Sequence, residues 1–108
     1  MLVGEAPRKA VDKRLIERRI KGHNAADLKA GREVGDLDVE WVLNRFKLQR
    51  GLCALCKGEM EKPRVGVMGA KGQQLSIDRI VSEGRGHVRG NCWLTHASCN
   101  FAKGAREV

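Results

Sequence analysis

Two short ligand spacings leave this chain few ways to fold. Cys53-Ala-Leu-Cys56 holds two thiols in a C-x-x-C, and the later segment Cys92-Trp-Leu-Thr-His96-Ala-Ser-Cys99 offers two more thiols and an imidazole. The two-residue spacing lets both upstream thiolates turn towards one ion, with Gly58 close by for the turn. A redox pair uses the same motif, but the surrounding pattern of strands and helices expected of a thioredoxin-type protein is missing. The partner pair must come from Cys92, His96 and Cys99. If this segment is helical, both the 92/96 and the 96/99 pairs share a face, so spacing alone allows either. We assign His96 and Cys99, because H-x-x-C repeats the upstream pattern and leaves Cys92 as an ordinary buried thiol. The expected site is a structural zinc held by Cys53, Cys56, His96 and Cys99.

A metal of this kind suits a chain of 108 residues with two Phe, two Trp and no Tyr. Such a chain buries a modest share of its surface, and a structural zinc contributes on the order of 10 kcal/mol to folding. In a reducing compartment, four cysteines, two of them in a C-x-x-C, read as metal ligands rather than disulfides. No run of eighteen apolar residues is present, the N-terminal stretch lacks the apolar core of a secretory signal, and Glu5, Asp12 and Glu17 argue against an organelle presequence. The expectation is an intracellular protein with no membrane partner. The net charge of +8 points to an anionic partner, with nucleic acid first. Residues 1–50 carry twelve Lys/Arg against eight Asp/Glu, and residues 51–108 carry nine against five, so the charge is spread over both halves.

The N-terminal half reads as helical. Pro7 sits where a helix can begin, Val11, Leu15, Ile16 and Ile20 recur at helical spacing among basic residues, and Gly22 to Asn24 marks a stop. A short second helix is expected over Ala25 to Arg32. A clearer one, capped by Asp36 or Asp38, runs to Gln49 with Val39, Val42, Leu43 and Phe46 as its stripe, and Gly51 stops it. After the cysteine knuckle, Val65 and Val67, then Leu75 and Ile77, alternate around turn residues, predicting a β-hairpin with its loop near Gly69 to Gly72. The fold class is small α+β: a helical region over 1–50 packed on a zinc-stapled core over 51–108, in one compact domain.

The last third carries the chemistry. Asp78 ends an alternating segment, a Gly-rich bend follows, and Asn91 is read as opening a helix that bears Cys92, His96, Cys99 and Asn100. Strand, turn and helix bring Asp78 and Asn100 within reach of each other, and both end in oxygens suited to a hard cation such as Mg²⁺.

In this order (C-x-x-C, an Asp-led dipeptide closing a strand, Asn91, then L-T-H-A-S-C-N-x-x-K-G) the chain resembles the HNH, or ββα-metal, endonucleases. It looks especially like the zinc-stapled branch that includes junction resolvases of the endonuclease VII kind and many phage HNH proteins. The likeness covers Leu52 to Gly104 and leaves the N-terminal half unassigned. It implies a ββα-metal core, with Asp78 and Asn100 holding one Mg²⁺ or Mn²⁺ against a scissile phosphate of DNA. Asn91 would fix the loop before the helix, and Cys53, Cys56, His96 and Cys99 would bind the zinc.

One departure bears on mechanism. Where the family usually has Asp-His, with that His as general base, this chain has Asp78-Arg79. A guanidinium stays protonated and cannot take a proton from water, though Arg79 can clamp a phosphate. Asp-Arg-Ile strings followed by Gly-His or Gly-Tyr occur in a subgroup of the family. His87 is the candidate replacement base, expected beside Asp78, with Glu83 a weaker one and His23 a third if the N-terminal half folds over the cleft. Arg85, Arg89 and Lys103 flank the site as phosphate contacts. The expected function is a divalent-metal-dependent DNA endonuclease; the alternative is a zinc-stapled nucleic-acid-binding module that has lost cleavage. One such site cuts one strand, so a double-strand break calls for a homodimer or a second encounter.

Overall fold

The computed structural model describes residues 10–66, 73–81 and 84–103. Asp12 starts the first helix by accepting the Leu15 N–H on its side chain (3.0 Å), and α1 then runs over Lys13–Lys29. It passes straight through Gly22 to Asn24, where a stop was expected, and absorbs the proposed second helix. Glycine inside a helix costs about 1 kcal/mol, and here one buried face holding Ile16, Ile20 and Asp27 outweighs it. The chain turns only at Ala30 and Gly31, the latter at φ +73°. The expected start at Pro7 lies outside the described residues.

Asp38 caps α2 (Val39–Leu48) through the Trp41 N–H at 2.7 Å, and the Gly51 N–H closes the far end on the Phe46 carbonyl. A knuckle over 52–60 leads back towards the sheet. There β1 (Leu75–Arg79) pairs antiparallel with β2 (Cys92–His96), in a register that sets Leu75 opposite His96 and Asp78 opposite Trp93. A 3₁₀ turn over Arg89–Asn91 precedes β2, and α3 (Ala97–Lys103) follows it without a break.

Two expectations change here. Asn91 does not open a helix: Cys92–His96 is a strand, and the helix begins five residues later than expected. Cys92, Leu94 and His96 face one way and Trp93 and Thr95 the other, a period-two pattern that the helical spacing of Cys92, His96 and Cys99 conceals. The partner of β1 is likewise β2. Val65 lies in a turn next to the Val11–Arg64 bridge, and Val67 with Gly69 to Gly72 lies outside the described residues.

The sheet separates two environments. Leu75 and Ile77 of β1 with Cys92 and Leu94 of β2 join Ile16, Ile20, Leu37, Val42, Cys53 and Met60 in one core, to which both halves of the chain contribute. The opposite face, carrying Ser76, Asp78, Trp93 and Thr95, meets α3. Among the described residues no helix is long and apolar enough to cross a membrane.

Candidate metal centre and the adjoining strand–helix face

The ligand atoms of Cys53, Cys56, His96 and Cys99 all lie within 4.8 Å of one another, a cluster that could hold a metal ion. His96 ends β2 and Cys99 sits in the first turn of α3, so a strand-to-helix junction, not a helical turn, presents the second pair. The His96 ring is oriented from behind: its Nε2–H donates to the Glu59 carbonyl at 2.6 Å, which leaves Nδ1 facing Cys56 Sγ (3.2 Å) and Cys99 Sγ (3.7 Å). Cys53 Sγ accepts the backbone N–H groups of Leu55, Cys56 and His96. Burial raises its thiol, but those N–H groups prevail and bring it down to about 6, towards the thiolate that a metal requires. Burial first, then the neighbouring Cys56 and Cys53, pushes Cys99 up to about 11. The left-handed residue of the knuckle is Lys57 at φ 67°, not Gly58. Cys92 stands apart, 1% exposed and pushed up to about 12 chiefly by burial, as befits an inert core thiol.

On the other face of the sheet, α3 lies along β1. Asn100 donates its amide to Ser76 Oγ (3.0 Å), and Lys103, three residues further along the same helix face, bonds Asp78. The carboxylate and the carboxamide therefore share one face, at neighbouring positions. Asp78 is 4% exposed and fully engaged: Lys103 Nζ lies 3.2 and 3.0 Å from its two oxygens, and the Trp93 indole N–H donates to Oδ2 at 2.8 Å. Lys103, expected at the surface as a phosphate contact, is thus buried at 9% exposure with its ammonium turned inward. Neither Lys103 nor Trp93 was legible as a partner of Asp78. The one available signal was the three-residue step from Asn100 to Lys103.

The loop between the strands is held from inside and outside. Asn91 is 2% exposed and pins it from within, its amide donating to the carbonyls of Val81 and Gly86 while its oxygen accepts the Val81 N–H. From outside, the N-terminal half grips it. Asp27, fully buried in α1, accepts the His87 backbone N–H (2.7 Å), His87 Nδ1 (2.9 Å) and Arg32 Nε (2.9 Å). His23, one turn earlier on α1, stacks on the His87 ring with centroids 4.0 Å apart. Burial, then the neighbouring His87, holds His23 down to about 4, and burial also lowers His87 against the pull of Asp27. In place of the expected neighbour of Asp78, His87 is the partner of Asp27.

The arginines are similarly committed. Arg79 Nη1 donates to the Arg85 carbonyl, Arg85 pairs with Glu33, and Arg89 bonds the Asp36 carbonyl (2.8 Å) and Asp38 (3.1 Å). Glu83 lies outside the described residues. No protein-family model, curated protein or solved structure matches the chain.

Proposed function

We propose that this protein is a DNA endonuclease of the HNH type, hydrolysing phosphodiester bonds, with a zinc ion in the Cys₃His cluster. The observation that carries the proposal is the continuous run β1, pinned loop, β2, α3, which puts Asp78 and Asn100 on one face and gives Asn91 the loop-fixing role that the resemblance implies. Three thiols and an Nδ1 whose opposite nitrogen is hydrogen-bonded suit a closed tetrahedral zinc site.

Asp78 and Asn100 are donors of the kind Mg²⁺ or Mn²⁺ takes, usually one or two protein oxygens with water and phosphate completing the shell. A cation bound there would stabilise charge on the phosphate. Such an ion competes with Lys103, whose ammonium already balances the carboxylate. The chain's own parts have distinct tasks. The Trp93 indole fixes the Asp78 carboxylate, and Asn91 with Asp27 hold the loop that carries His87. His87, bonded to Asp27 through Nδ1 and stacked on His23, acts in that loop as an anchor, and the base is left to another group. Arg79 opposes phosphate charge from the end of β1.

The buried Asp78–Lys103 pair favours a second reading, a nucleic-acid-binding module on the same scaffold in which ammonium has replaced the cation. A plasmid-nicking assay with Mn²⁺ separates the two. Nicking by the parent that drops at least about a hundredfold in Asp78→Ala and Asn100→Ala supports the enzyme. Retained DNA binding with intact supercoiled plasmid in all three proteins leaves only the binding module.

A further inference from the structure

Behind Trp93, and reaching the Cys53 side of the metal cluster, a cavity of about 260 Å³ opens between the end of α2, the knuckle and the edge of β2. Arg45 and Gln49 line it from α2, Lys57 from the knuckle and Trp93 from β2. Gln49 is a fixed wall: its amide donates to the Leu52 and Leu94 carbonyls, and its oxygen accepts the Leu94 N–H. Arg45 is different. Its Nε is buried and has no hydrogen-bond partner among the described residues, a state that costs a guanidinium donor more than it costs a neutral group. Lys57 donates one hydrogen to the Ala54 carbonyl and keeps two more. The lining therefore combines two cationic side chains and the indole of Trp93, beside Cys53.

We infer that this cavity receives one unpaired nucleotide of a bound DNA strand, its phosphate on Arg45 and Lys57 and its base against Trp93. The volume lies below the roughly 300–1,000 Å³ of pockets that take whole drug-sized ligands, which suits a single unit of a longer chain. Base stacking on an aromatic face beside a cationic groove is how single strands are held without sequence preference. Trp93 also joins the cavity to the proposed reaction centre, because the same indole donates its N–H to Asp78. A strand lying across that face would pass from Asp78 over Trp93 to Arg45. The inference rests on the nucleic-acid reading above.

In a Trp41→Phe background the remaining Trp93 reports on the cavity. Titration with the single strand (dT)₈ at low salt should quench its fluorescence, while a labelled (dT)₈ reports total binding by anisotropy. Arg45→Gln should weaken both signals about ten- to a hundredfold and reduce the salt dependence by about 0.7 in log–log slope. If Arg45→Gln loses its fold, as judged by circular dichroism, Lys57→Gln at its exposed position should weaken both in the same direction. Strong anisotropy with unquenched Trp93, or unchanged affinity in the arginine variant, overturns the cavity assignment while DNA binding stands. Equal quenching by inorganic phosphate alone overturns the nucleotide assignment. Absence of any binding to (dT)₈ or to duplex DNA removes the nucleic-acid reading, and the inference with it.

Discussion

Asp78 shows how far a single side chain depends on its partners. Removing one member of a buried ion pair leaves the other charged and desolvated, at a cost of about 3–5 kcal/mol. With side-chain exposures of 6% for Lys103 and 5% for Asp78, the pair belongs to that class. Lys103→Met should therefore lose stability of that order in urea unfolding. Asp78→Asn combined with Lys103→Met should recover most of it, since the uncompensated charge is gone. A loss below about 1 kcal/mol would mean that the pair behaves as a solvated one. The carboxylate was legible in the sequence, as the acidic residue at the end of an alternating segment. Its ammonium partner was not, because the two lie twenty-five residues apart and only the docking of α3 on β1 unites them.

At the scale of elements, the N-terminal half acts as a clamp on the loop between β1 and β2. Backbone meets backbone there. A Cβ on Gly86 would fall 1.8 Å from the Glu33 carbonyl oxygen, and one on Gly35 would fall 1.8 Å from the His87 carbonyl oxygen. Gly86→Ala should cost about 1–3 kcal/mol or more, because backbone on both sides must move apart. Gly90→Ala, with nothing within 4 Å, is the control and should stay within about 0.5 kcal/mol. Equal stability of the two variants in thermal unfolding would show that the clamp does not hold. The Asp38 cap was readable as one of two candidates beside Asp36, as was α2 itself, whose apolar stripe and stop coincide. The strand Cys92–His96 was misread because its ligands also fit a helical repeat, and α1 because packing of Ile16 and Ile20 overrides a glycine that reads as a stop.

For the whole molecule, the cysteine cluster ties the knuckle after α2 to the junction of β2 and α3. Four candidate ligands brought together from positions 53 to 99 would make the affinity for a bound metal part of the folding free energy. Removal of the metal with a chelator at neutral pH should abolish the cooperative thermal transition, and zinc should restore it. An unchanged melting midpoint after verified metal loss would show that the apolar core alone suffices. By itself the sequence determined which atoms were on offer: thiols and an imidazole at ligand spacing, a carboxylate and a carboxamide suited to hard cations, a capped amphipathic helix, and an excess of positive charge. Only tertiary structure decided how they were used. It turned His87 to Asp27 across sixty residues, gave Asp78 to Lys103 and Trp93, and left Arg45 with a buried donor that has no partner among the described residues. Local periodicity records the shape of a segment, whereas the partner of a buried polar group is selected by which distant surfaces close over it, and that selection leaves no spacing to read.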